Sequence, residues 1–137
     1  MSFDKLGKSI TLLAARASTG ADVATGSPVN DYRHLKVSFA TDGGGTAALT
    51  VKFRGSISET APDFTAAQSV TNMWDNIEVI DLQNGSAIDG DTGVAVASAD
   101  DYRLFAVNTD GLKHFAAVVT ARTAGSVTVK LLGLSNE

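Results

Sequence analysis

Apolar and polar residues alternate along most of this chain, and the period is two. In residues 49–57 the positions Leu49, Val51, Phe53, Gly55 and Ile57 are apolar or small, with Thr50, Lys52, Arg54 and Ser56 between them. That is the pattern of a strand with one buried and one wetted face. Residues 33–55 (RHLKVSFATDGGGTAALTVKFRG) and 113–133 (KHFAAVVTARTAGSVTVKLLG) repeat one phrase: a basic residue, a histidine, a strand, a glycine turn and a second strand ending TVK-x-x-G. Read from sequence, this is the same hairpin written twice, the second time with a turn two residues shorter.

Further strands are predicted at 9–17, 74–82, 93–98, 102–108, 112–122 and 126–134, with a weak edge strand at 23–29 ended by Pro28. Turn chemistry separates them: the glycine run 43–45, Asn84-Gly85, Asp100-Asp101, Asp110-Gly111 and Ala124-Gly125. Residues 59–72 carry no strand period and read as a surface loop. No long amphipathic helix is visible. The expectation is an all-β chain: a two-sheet antiparallel β-sandwich, jelly-roll-like, of about eight strands. Residues 1–8 read as an N-terminal arm whose large apolar groups are Phe3 and Leu6, and residues 9–137 as a single sandwich domain.

Two stretches break the alternation. Leu132 and Leu134 oppose Val127, Val129, Leu131 and Gly133, and Ala116 and Val118 oppose Phe115, Ala117 and Val119. Strands apolar on both sides are covered on both sides. A neighbouring loop or the Phe3/Leu6 arm could supply the cover, or another molecule could, since a leftover apolar patch on a soluble domain marks a partner surface. Phe3, Leu6, Val118, Leu132 and Leu134 are therefore the candidate interface residues.

Composition narrows the function classes. At 137 residues the chain can bury a self-sufficient core, and with no cysteine it has no disulfide framework, thiolate nucleophile or Cys-based zinc site. A net charge of −4 with eleven scattered basic residues argues against nucleic acid as a partner. No apolar run has membrane-spanning length and the Met-Ser start has no secretory h-region, so a soluble product that binds no membrane is expected. Aromatics at 7% are sparse for a sugar-binding surface.

Candidate chemistry is thin. His34 and His114 occupy equivalent places in the repeat, which points to a shared structural use, and no G-x-S-x-G context accompanies either. Asp89-Gly90-Asp91-Thr92-Gly93 resembles the start of a calcium loop, but its sixth and twelfth positions are Val94 and Asp100 instead of Gly and Glu. Glu78 and Asp81 fall on opposite faces of a strand, a poor acid/base pair. Asn84-Gly85-Ser86 reads as a turn, and Trp74 as a core or rim anchor. No catalytic residue, metal ligand or cofactor is expected.

Several ordered phrases then carry a likeness: TNMWD at 71–75, DLQNGS at 81–86, IDGDTG at 88–93, VNTDGLK at 107–113 and TARTAGSVTVK at 120–130. With them the chain resembles small β-sandwich virion proteins of tailed bacteriophages, above all the capsid cement, or decoration, proteins of short-tailed phages. The likeness spans residues 33–134. It implies a jelly-roll-like protein without catalytic residues, made in the bacterial host cytoplasm, that self-associates as a homodimer on the outer surface of the capsid. There it would bridge major capsid protein subunits and stabilise the head. The alternative is a receptor- or glycan-binding module of a phage tail or head fibre, for which Tyr32, Trp74 and Tyr102 are the aromatic candidates.

Overall fold

The computed structural model describes residues 8–108 and 111–134. Among them lie eleven strands and no helix: β1 (Lys8–Arg16), β2 (Ser27–Pro28), β3 (His34–Asp42), β4 (Ala48–Ser56), β5 (Asp75–Asn76), β6 (Val79–Asp81), β7 (Ala87–Ile88), β8 (Val94–Val96), β9 (Tyr102–Asn108), β10 (His114–Ala124) and β11 (Ser126–Leu134). They form two antiparallel sheets. The first has the order β1-β11-β3-β9-β6-β7; the second runs β2-β10-β4-β5, with β8 also on β4. The pairings are nested: β1 with β11, β2 with β10, β3 with β9 and β4 with β8. One long hairpin has been rolled up and closed by β11 on β3 and β10 on β4, which is the jelly-roll form of the sandwich.

The expected strands at 102–108 and 126–134 are found with those bounds. The single strand expected at 74–82 divides at Ile77-Glu78, so that β5 joins the second sheet and β6 the first. The edge strand expected at 23–29 contracts to Ser27–Pro28, and β7 was not anticipated.

The repeated phrase is not a hairpin. β3 lies in the first sheet and β4 in the second; β10 lies in the second and β11 in the first. Each copy is an arch that passes over the edge of the sandwich, and the copies exchange partners. His34 faces Leu134 as His114 faces Ser56, Leu35 faces Gly133 as Phe115 faces Gly55, and Val37 faces Leu131 as Ala117 faces Phe53. The Arg33 amide donates to the Leu134 carbonyl and the Lys113 amide to the Ser56 carbonyl, both at 2.9 Å. The arches are thus related by an approximate two-fold axis. Their corners meet on it: a Cβ on Gly125, whose φ is +82°, would fall 2.7 Å from the Cβ of Ala47, its counterpart in the other copy. Alternation cannot distinguish the two readings, because an arch and a hairpin need the same inward apolar positions. In a hairpin those faces lie side by side; in an arch they look at each other across the core.

The glycine ending each phrase also has a paired cause. Gly133 lies under the ring of Tyr32, where a Cβ would come within 2.6 Å of the aromatic carbons, and Gly55 lies under Leu112, the residue equivalent to Tyr32, at 2.8 Å. Between the sheets a run of phenylalanines crosses the core. Phe105 of the first sheet meets Phe39 edge-on at 6.0 Å and Phe53 of the second at 6.1 Å, and Phe53 stacks on Phe115 at 5.9 Å. All four are buried.

Because Phe105 links both sheets, Phe105→Ala is expected to cost about 3–5 kcal/mol in urea unfolding. Gly133→Ala is expected to cost about 1–3 kcal/mol through overpacking, and that cost should shrink in a Tyr32→Ala background, where the clashing ring is gone.

Candidate interaction surfaces

The outer face of the second sheet is covered by the chain itself. Residues 57–74 fold back over β4 and β10 and place Phe64, fully buried, against Ala116 and Val118, with Ala21 and Trp74 around it. Val118 is 4% exposed. Of the two covers left open by the sequence, the loop supplies this one, and a partner has no access to Val118 in this structure.

Arg54 fastens the loop. Its position on the wetted face of β4 aims the guanidinium at the loop, where Nη1 donates to the Phe64 carbonyl at 2.6 Å and Nε to Asn76 Oδ1 at 3.0 Å. Its Cζ lies over the Trp74 ring, 4.1 Å from the centroid, a cation–π contact. Partial burial lowers the pKa of this guanidinium, which starts so far above neutrality that it stays charged. Trp74 in turn donates to the Ala66 carbonyl and accepts through its own carbonyl from Gln68. Trp74 is thus an internal anchor of the loop.

The far end of the loop is hydrogen-bonded yet apolar. Ser69 and Asn72 exchange backbone hydrogen bonds, and the Asn72 side chain holds the amide and carbonyl of Asp63. This turn presents Val70 at 91% exposure, with Ile57 and Met73 also exposed beside it. Val70, Met73, Pro62 and Asp63 surround a depression of about 250 Å³.

The outer face of the first sheet is not covered by any described residue. Leu132 is 39% exposed and Leu134 half-buried on β11, while Tyr102 at 73% and Leu104 at 56% stand on β9. Register places them in rows: Leu104 beside Ser38 beside Lys130, and Ala106 beside Lys36 beside Leu132. Leu82, whose amide donates to the Leu104 carbonyl, extends the first row, and a hollow of about 510 Å³ lies between Ser38, Ala40, Leu82, Gln83, Tyr102 and Leu104. Sequence reasoning found Leu132 and Leu134 because they broke the alternation. It missed Leu82, Leu104 and Val70, which keep to positions where a polar residue was assumed. Phe3 and Leu6 lie outside the described residues.

The remaining candidates lie apart from one another. Asp89 closes its turn by accepting the Thr92 and Gly93 amides on its carbonyl, and Asp91 Oδ1 accepts from Asn76. Among the described residues no group of three or more His, Asp or Glu side chains is placed to hold a metal ion. His34 and His114 sit at the starts of β3 and β10, far apart in the pairing, on different sheets. Asp81 is buried at the edge of the core and ion-paired to Arg103, which also reaches Asp101 at 3.4 Å.

No protein-family model matches this chain, and no curated protein sequence does. Solved structures do share its fold. The SPBc2 prophage-derived protein YomS superposes with a TM-score of 0.63 at 17% identity, over 94% of this chain and 93% of that one. The PBSX exported protein XepA superposes with a TM-score of 0.62, also at 17% identity, over 97% of this chain but 43% of its own. In XepA the fold is therefore part of a longer chain.

The Arg103 hydrogen bond, then the Gln83 amide, hold the Asp81 carboxyl below its usual range against the opposing effect of burial. A carboxylate whose folded pKa is depressed stabilises the fold above its ordinary value, about 3.9, and loses that contribution as pH falls toward the depressed one. Thermal melts from neutral to acid pH should show Asp81→Asn less stable than the parent near neutrality, with a flatter acid limb; parallel curves would remove the ion pair from acid sensitivity.

Proposed function

We infer that this chain is a non-enzymatic structural protein of a bacteriophage particle, binding the outside of the head and cementing neighbouring major capsid subunits. The observation that carries the reading is the end-to-end match of its jelly roll to the prophage-derived YomS. The phage-like phrases of the sequence support the same class, and so does the architecture. The described chain leaves two apolar surfaces free for adhesion. A cement protein has no need of one strong site. Copies docked side by side, or as the two halves of a homodimer, raise each other's effective concentration, so modest single contacts suffice.

A second reading has an observation of its own. Tyr102 stands exposed beside the hollow on the first sheet, and XepA carries the same fold as a fraction of a longer chain. Both fit a receptor- or glycan-binding module of a tail or head fibre.

Purified protein mixed with undecorated heads of its own phage is expected to co-sediment with them in hundreds of copies per head, on the order expected for a lattice ligand. Protein left in the supernatant would refute head binding. Binding on a glycan array that Tyr102→Ala abolishes would select the fibre module instead.

A further inference from the structure

The basic residues, scattered over both sheets, are nonetheless absent from one long stretch of the chain. From Gly55 to Asp101 there are nine carboxylates and no lysine, arginine or histidine, so all eleven lysines and arginines lie before or after this stretch. Residues 55–101 supply β5 to β8, which lie beyond β4 in the second sheet and beyond β9 in the first, and the loop 57–74, which crosses the outer face of the second sheet as far as Ala24.

Two apolar surfaces sit on the outsides of opposite sheets. On the second sheet, Val70 and Met73 are exposed beside Asp63, with Ile57 and Asp75 exposed at the two ends of the same loop. Asp63 is held by the Thr65 hydroxyl and amide, which lower its pKa, and Asp75 by the Asn76 amide; neither has a cation within ion-pair distance among the described residues. On the outer face of the first sheet, Lys36 lies between Leu132 and Ala106, and Lys130 lies beside Ser38 in the row that leads to Leu104. Neither lysine has a carboxylate partner among the described residues. The hydrogen-bonded Val70 turn is a knob; the hollow beside Leu104 and Tyr102 is a recess of apolar lining.

We propose that the outer face of the first sheet is the docking site for a second copy of this chain, which inserts its Val70 turn with Asp63 and Asp75 facing Lys36 and Lys130. The occupant is chosen by charge and by apolar match: the face carries unpaired lysines among apolar residues, and a knob of exposed apolar groups with unpaired carboxylates is part of the same polypeptide. Because the two surfaces lie on opposite sheets, the contact is heterologous. Each copy offers both halves, so association extends into a ring or a chain, unlike a two-fold dimer in which one patch meets itself. This goes beyond the head-binding reading and stands whether or not that reading holds, since it concerns the protein alone.

Sedimentation velocity on the full chain tests it, at about 100 μM, where weak contacts of that order in Kd are occupied. The parent is expected to sediment as species larger than one chain, shrinking as salt is raised. Val70→Asp destroys the knob, and Lys36→Glu with Lys130→Glu destroys the face; all three positions are on the surface, and each variant alone should sediment as a single chain. Mixed in equal amounts, the two variants still share one intact knob and one intact face, so the mixture should form a dimer that goes no further. A parent that is a single chain at low salt, variants that associate like the parent, or a mixture that stays at one chain would each overturn the proposal.

Discussion

Everything in this molecule hangs on the exchange of partners between two arches. β3 and β4 do not pair with each other, nor do β10 and β11; each strand completes the other copy's sheet. The consequence is energetic as well as geometric. Each arch alone has two inward apolar faces and no ladder, so its backbone groups would be buried without partners, a cost of order 1–3 kcal/mol for each unsatisfied group. Only together do the arches satisfy both sheets. The glycines that end the phrases, Gly55 and Gly133, belong to the same arrangement, since each clears space for the residue that leads into the opposite arch.

That exchange also explains what could be read from the sequence. Alternation identified the buried faces of β3, β4, β9, β10 and β11, and the inward residues Phe39, Phe53, Phe105 and Phe115 follow from it directly. It located the strands because period two is a local property of the chain. Whether a turn closes a hairpin or carries the chain over to the other sheet is not local. The one-residue corner at Gly125 and the longer one at residues 43–47 do the same job, and nothing within either turn says so. The division of 74–82 into β5 and β6 was hidden for a similar reason: Trp74 to Leu82 alternates well enough for one strand, but its halves are claimed by different sheets.

The candidate surfaces were only half readable. Leu132 and Leu134 announced themselves by breaking the pattern. Val118 did so too, yet its cover came from Phe64, a residue in a loop with no period to interpret. Val70 could not be found at all by pattern, because exposure on a loop depends on the Arg54 and Trp74 anchorage that holds it there. The separation of charge was present in the sequence throughout. It acquired meaning only when the fold laid the loop 57–74 over the outside of the second sheet and left Lys36 and Lys130 on the outside of the first.

The place of β11 in the first sheet bears on how the protein is made. This strand is the central neighbour of both β1 and β3, although its residues, 126–134, are translated more than a hundred positions after those of β1 begin. Such distant pairing is slow to nucleate. Until residues 126–134 have left the ribosome, β1 lacks its sheet partner and β3 keeps one open edge, so the first sheet closes only after more than a hundred residues beyond the start of β1 have been made. During that interval the newborn polypeptide is exposed to pairing with its neighbours on the same message, and chaperone protection would matter most then.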